Sequence, residues 1–335
     1  MDNIKEIANR LVSFDKGILA ADASVNTMNK RFKAVDVEET EEMRRQYREL
    51  LLTTGGIEDY LNGVILFDET IRQNTSDGTP LVEVVKHKEI IPGIKVDSGT
   101  VDLLGSPGEK ITEGLEGLNA RLKEYFGMGA RFAKWRAVIA IGDSIPTDVA
   151  IRENAKVLAK YALACHEEGL VPMVEPEVLL DGTHSIERAE EVVIKTLNIV
   201  FDELKNAQVD ISGVLLKSSM VLPGKDSGQI KTPEEIAEAT IRAFKQSVPD
   251  ELPGIVFLSG GQNPKEATLN LNAIKKLGLQ PWKLTFSYSR ALQEPVLEAW
   301  KGESEHTVKA QEFFLKRLKL NQLALKGEYD PVMEL

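Results

Sequence analysis

ARFAKWRAVIAI (130–141), DVAIRENAKVLAKYALACHEEG (148–169) and LVPMVEPEVL (170–179) follow one another along the chain and predict strand, helix and strand. The outer two are short, aliphatic and β-branched, as strands buried on both faces are. The middle one has helical periodicity. Charges interrupt both strands: Lys134 and Arg136 in the first, Glu175 and Glu177 in the second. Each pair is spaced by two, so both members point to the same face of their strand. A further buried-strand run, SGVLLKSSMV (212–221), carries Lys217. An unpaired charge inside a strand costs several kcal/mol, so three strands with such charges predict that the charges meet in one site.

The same alternation extends in both directions. Strand-like runs stand at 17–22 (GILAAD), 63–68 (GVILFD), 91–97 (IPGIKVD), 254–260 (GIVFLSG) and 282–289 (WKLTFSYS), which with the three above makes eight. Helical periodicity recurs at 185–207 and 232–248. Thr232 precedes Pro233-Glu234-Glu235 and Asn263 precedes Pro264-Lys265-Glu266, each an N-cap followed by proline at the first helical position. Eight strand–helix alternations without a Gly/Ser/Pro-rich linker predict an α/β protein with one closed (β/α)8 TIM barrel over residues 1–335.

The 335 residues are 42% hydrophobic and 28% charged, enough for a large core. A formal net charge of −11 argues against a general nucleic-acid surface but leaves room for a local cationic site that takes a small anion. The single cysteine, Cys165, excludes an intrachain disulfide and fits a reducing cytoplasm. It reads as a packed helix residue, and His166 beside it as a surface residue. MDNIKEIANRLVSF (1–14) reads as an amphipathic helix rather than a signal peptide, and no apolar run approaches the ~20 residues of a membrane span. His87, His166, His184 and His306 are scattered without metal-ligand spacing, so neither a metal nor another cofactor is expected.

In a (β/α)8 barrel the catalytic groups sit at the C-terminal ends of the strands, and the loops after the last two often hold phosphate. The seventh run leads into Ser259-Gly260-Gly261-Gln262-Asn263-Pro264 and a helix whose N–H groups could receive an anion, and the eighth ends in Ser287-Tyr288-Ser289-Arg290. Asp22, ending the first run, and Lys95, within the third, point to the same mouth. A lysine attacks a ketone only when neutral, and desolvation with nearby positive charge, here Lys134 and Arg136, depresses its pKa. Lys217 then forms an iminium that withdraws electrons from a neighbouring carbon–carbon bond, while Glu175 and Glu177 move protons and orient the amines. The competing structural reading, an ion-pair ladder within the barrel, does not call for a phosphate loop.

These motifs resemble the class I fructose-bisphosphate aldolases of animals and plants. Matching blocks run through almost the whole chain, among them KGILAADAS (16–24), KRF (30–32), RRQYRELLLTT (44–54), GVILFDET (63–70), GIKVDSG (93–99), ARFAKWR (130–136), GLVPMVEPEVL (169–179), GVLLKSSMV (213–221), FLSGGQ (257–262) and LTFSYSRALQ (284–293). The resemblance implies that Lys217 is the Schiff-base lysine, that Lys134, Arg136, Glu175 and Glu177 are its catalytic neighbours, and that Asp22 is the base for carbon–carbon cleavage. It implies one phosphate site at Ser259, Gly260, Gly261, Ser287, Tyr288, Ser289 and Arg290, and another at Ser24, Lys30, Arg31 and Lys95. The implied reaction is metal-independent, reversible cleavage of fructose 1,6-bisphosphate to dihydroxyacetone phosphate and glyceraldehyde 3-phosphate in glycolysis and gluconeogenesis, by a cytoplasmic homo-oligomer, commonly a tetramer. The alternatives are an aldolase for another ketose bisphosphate, such as sedoheptulose 1,7-bisphosphate, and a non-catalytic barrel that binds phosphosugars or a partner.

Three positions depart from the family pattern. Ala23 replaces a glutamate beside Asp22, and Ser289 replaces a glycine whose amide helps bind phosphate, so its Cβ is expected to weaken that site somewhat. The ending GEYDPVMEL lacks the family's mobile tail with its terminal tyrosine, which implies slower protonation of the enamine, and Tyr329 reads as structural.

Overall fold

In the computed structural model, which describes residues 4–335, β1 (Gly17–Ala20), β2 (Leu61–Leu66) and β3 (Ile91–Lys95) are followed by a hairpin of β4 (Gly99–Asp102) and β5 (Lys110–Glu113). Then come β6 (Phe132–Ile139), β7 (Val171–Val178), β8 (Leu215–Ser218), β9 (Gly254–Phe257) and β10 (Lys283–Tyr288). The eight strands outside the hairpin close into a barrel in the order β1, β10, β9, β8, β7, β6, β3, β2, and every pairing around it is parallel. Each of the eight expected runs supplies one strand. Helices occupy Asp148–Glu167, Ile186–Asn206 and Pro233–Ser247, as their periodicity predicts, and capping boxes at Thr232 and Asn263 open two of the helices.

Period-2 alternation sorts each strand into an outer row that packs on the helices and an inner row that fills the barrel. The inner rows are apolar at the bottom and charged at the top. Phe132 gives way to Lys134 and Arg136 along β6, Val171 and Met173 to Glu175 and Glu177 along β7, Leu215 to Lys217 along β8, and Ile18 and Ala20 to Asp22 beyond β1. The lower layer is sealed by the N-terminal helix Ile4–Leu11, whose Ile7, Ala8 and Leu11 join Phe132, Met173, Leu215 and Val256 in one buried cluster. The first three residues of the helix expected over 1–14 lie outside the described residues.

That lower layer is closely filled, and Gly63, Gly93 and Gly254 make room for it. A Cβ added at Gly93 on β3 would stand 2.3 Å from the ring of Phe132, which is fully buried. Gly93→Ala is therefore expected to destabilise the fold by about 1–3 kcal/mol through overpacking, read as a lower urea midpoint with an unchanged slope.

The β4–β5 hairpin is the one sheet element with no forerunner in the sequence reading. It folds against β6 through a bond from Thr112 Oγ1 to the Arg136 carbonyl at 2.8 Å. Among the described residues no helix is long and apolar enough to cross a membrane.

Candidate active site

The parallel register of β6 and β7 sets Arg136 beside Glu175 and Val138 beside Glu177, while β3 sets Lys95 beside Lys134. The charges expected to converge do so at the C-terminal end of the barrel. Lys134 Nζ stands 2.7 Å from Asp22 Oδ2 and 3.1 Å from Glu175 Oε2, and Lys217 Nζ stands 3.1 Å from Glu175 Oε1. Arg136 pairs with Glu177 at the mouth. Asp22, Lys134, Glu175 and Lys217 are each at least 93% buried, so these pairs are little screened by water.

Burial would raise the Asp22 carboxyl, but the Lys134 and Lys217 charges outweigh it and hold Asp22 well below the usual carboxylate range. Glu175 is likewise lowered: burial opposes the shift, and Lys134, Lys217 and Arg136 overcome it. Burial disfavours the Lys134 cation, yet its two carboxylates raise its pKa well above the usual value. Glu175 Oε2 faces Lys134 without hydrogen-bond alignment and has no other donor, so one oxygen of this carboxylate remains available. The geometry thus offers two ionised carboxylates and two amines within one proton-transfer network.

Above this network lies a cavity of about 230 Å³. Its wall includes Asp22, Lys134, Arg136, Glu175, Glu177 and Lys217, and also Ser24, Arg31, Lys95, Ser259, Gly260, Ser287, Ser289 and Arg290. Lys95 is held against Asp97, Nζ to Oδ1 at 2.6 Å, and Asp97 in turn accepts from the Arg136 amide. The buried Ser287 hydroxyl has no partner. Neither Arg31 nor Arg290 forms an ion pair among the described residues, which leaves this wall with uncompensated positive charge.

Three of the expected site residues lie outside the cavity wall. Lys30 is exposed, because one residue along the helix Val25–Lys33 turns the side chain about 100° away from the Arg31 direction. Tyr288 faces outward from β10, fully buried, and its hydroxyl donates to the Ala267 carbonyl at 3.0 Å. Gly261 follows Gly260 in the loop with φ +90° and sits against Leu180. The helix Pro264–Lys276 has fewer free amides to offer an anion than expected. Asn263 and Glu266 close its first turn reciprocally, and Pro264 has no N–H to offer.

Thr27 and Arg48 are missed by the sequence reading. Thr27 lies in the cavity wall, its hydroxyl 3.2 Å from Ser24 Oγ, and the signal was its place three residues after that N-cap. Arg48 is buried behind Ala23, donates to the Ala23 carbonyl at 3.1 Å and has one Nη without a partner; burial pushes its pKa down to about 10.

Other candidates carry less chemistry. Cys165 is buried and its thiol is pushed up by that burial, as befits packing rather than nucleophilic duty. His166, read as a surface residue, is half-buried with Nε2 3.3 Å from the Gly213 carbonyl. Tyr329 bonds Glu334 at 2.9 Å in a structural contact. A larger cleft, about 760 Å³, lies at the opposite end of the barrel by Asp202, Lys205, Lys245 and Glu251, without converging buried charges. Among the described residues no cluster of three or more His, Cys, Asp or Glu side chains is arranged to hold a metal ion.

Comparison with known proteins agrees with this frame. Residues 3–334 match the family described as fructose-bisphosphate aldolase class-I. The chain is 51% identical to a probable fructose-bisphosphate aldolase class 1 of Xanthomonas campestris, covering 98% of this chain and 99% of that one. It is 52% identical to the cytosolic fructose-bisphosphate aldolase 5 of Arabidopsis thaliana over 98% of this chain and 92% of that one. A solved structure of fructose-bisphosphate aldolase from Plasmodium falciparum, in complex with TRAP and a small-molecule inhibitor, superposes with a TM-score of 0.96 at 47% identity, covering 98% of this chain and 95% of that one. The chain belongs to the class-I fructose-bisphosphate aldolase family, and the resemblance read from its motifs is borne out.

Proposed function

We propose that the chain, acting as one barrel domain, reversibly cleaves fructose 1,6-bisphosphate to dihydroxyacetone phosphate and glyceraldehyde 3-phosphate through a Schiff base on Lys217. The observation that carries this reading is Glu175, buried between the Lys134 and Lys217 amines, with one oxygen at 3.1 Å from each. A carboxylate so placed can pass protons to and from the atoms a carbinolamine gains and loses.

Lys217 Nζ, in its neutral form, attacks the C2 ketone. The carbinolamine loses water with a proton relayed through Glu175, leaving an iminium. Asp22 then takes the C4 hydroxyl proton. The C3–C4 bond breaks, its electrons flow into the iminium, and glyceraldehyde 3-phosphate departs. Protonation of the enamine at C3 and hydrolysis of the imine release dihydroxyacetone phosphate and restore the lysine. The paired Lys134 keeps Asp22 ionised so that it can act as the base. Arg290, Ser259 and Gly260 serve one phosphate, and Arg31, which the resemblance grouped with Ser24 and Lys95, is assigned to it as well because its guanidinium bonds Ser289; Ser24, Thr27 and Lys95 serve the other. The same reading takes the protein to be a homo-oligomer of the cytoplasm working in glycolysis and gluconeogenesis, and it gives the two phosphate sites no say over sugar length.

A coupled assay tests this reading. Cleavage of fructose 1,6-bisphosphate is expected to run at full rate in EDTA and with a higher kcat/KM than sedoheptulose 1,7-bisphosphate. A loss in EDTA that Zn²⁺ restores would refute the lysine mechanism, and the reverse substrate order would reassign the substrate.

A further inference from the structure

Ser289 stands at the N-cap of the helix Arg290–Trp300, yet its side chain does not cap that helix. An N-cap serine ordinarily accepts from the second or third helical amide. Here the third helical amide, Leu292, is taken by the Ser289 carbonyl, which also accepts the ordinary first helical bond from Gln293. The hydroxyl oxygen turns to the cavity, where it accepts from Arg31 Nη1 and Nη2, both at 3.2 Å, and from Gln293 Nε2 at 3.3 Å. Gln293 is itself fixed by a bond to the Ala20 carbonyl at 2.8 Å. The Ser289 oxygen therefore ties the Arg31 guanidinium to the end of β10 and, through Gln293, to the end of β1.

A serine hydroxyl has two acceptor lone pairs and one donor proton. The side chains of Arg31 and Gln293 engage the acceptor side. The proton is left over, and Ser289 lies in the cavity wall beside Arg290. Its φ of −106° is not in the left-handed region that favours glycine, so the Cβ does not bring the strain such a position would impose. Among the described residues Arg31 forms no ion pair with a carboxylate, and a hydroxyl oxygen positions it without neutralising its charge.

We propose that the Ser289 hydroxyl is a positioning residue for the phosphate group of the substrate: it holds Arg31 at the cavity wall and donates its own proton to a phosphate oxygen. The inference rests on the aldolase reading for the identity of the phosphate ester, but its chemistry needs only a tetrahedral oxyanion. It also reverses the expectation that a side chain at this position weakens the phosphate site.

The test compares the full-length chain with Ser289→Ala, Ser289→Gly and Ser289→Thr. Binding of inorganic phosphate is followed by calorimetry, and KM and kcat are measured with fructose 1,6-bisphosphate. One lost hydrogen bond to a charged group weakens binding by about tenfold. Ser289→Ala and Ser289→Gly are accordingly expected to bind phosphate about tenfold more weakly and to raise KM about as much, with a much smaller change in kcat, while threonine recovers most of the loss. In an Arg31→Ala background, Ser289→Ala is expected to cost markedly less. Alanine and glycine variants that melt like the parent and bind phosphate as tightly would overturn the proposal, as would an equal loss with threonine. If the parent binds phosphate but does not turn over the bisphosphate, the aldolase reading fails, and the binding comparison still decides the role of Ser289.

Discussion

Lys217→Ala is expected to lower kcat for fructose 1,6-bisphosphate cleavage by roughly 10⁵-fold or more, the scale seen when a covalent nucleophile is removed. No other amine in the site can replace it. The nearest, Lys134, is held as a cation by Asp22 and Glu175, and a protonated amine has no electron pair to add to a ketone. The fold should survive the change. Glu175 keeps Lys134 as its partner, and the apolar layer below, around Leu215 and Met173, is untouched. Steady-state assays with a parallel melting curve check this, and residual activity within a hundredfold of the parent would mean that another group carries the covalent step.

Lys134→Met is expected to damage both stability and rate. The substitution keeps an unbranched side chain, one atom shorter, but leaves the Asp22 carboxylate, 7% exposed, without an ion-pair partner, and halves the pairing of Glu175. Breaking a buried pair by removing one partner costs about 3–5 kcal/mol. The sign of the pH dependence follows from the shifts. In the parent, both carboxyls are held below their ordinary range, so the stability they contribute is complete above about pH 4–5 and is lost only as pH falls through the lowered folded values. In the variant, burial without the cation raises the Asp22 pKa, and protonation relieves the buried charge. The stability deficit should therefore be largest at pH 7 and narrow as the pH is lowered toward about 4–5. Urea denaturation at several pH values measures this, and a deficit independent of pH would show that Lys134 contributes packing alone. The rate should fall too, since Asp22 loses the charge that keeps it ionised as a base.

The barrel was legible because its strands are buried on both faces and so read as unbroken aliphatic runs, and because charges at a spacing of two are conspicuous within them. Lys134, Arg136, Glu175, Glu177 and Lys217 fell into place on that signal alone. The β4–β5 hairpin escaped notice because GTVD and KITE are short and mostly polar, without the alternation that marks a half-buried strand. Lys30 and Tyr288 show a different limit. A motif gives neighbours in sequence, but a helix turns successive residues about 100° apart and a strand turns them to opposite faces, so Arg31 and Ser287 line the cavity while Lys30 and Tyr288 do not. Arg48 could not be singled out, because a buried guanidinium without a carboxylate has no sequence signature; its position is set by tertiary packing behind Ala23. The Ser289 contact to Arg31 joins residues 258 apart, a relation that spacing along the chain cannot express.

Borohydride reduction in the presence of fructose 1,6-bisphosphate, followed by mass mapping of the modified peptide, tests the central claim most directly. A single stoichiometric adduct on Lys217 is expected, with Lys134 unmodified. An adduct on Lys134, or none on a folded protein that cleaves the substrate, would contradict it.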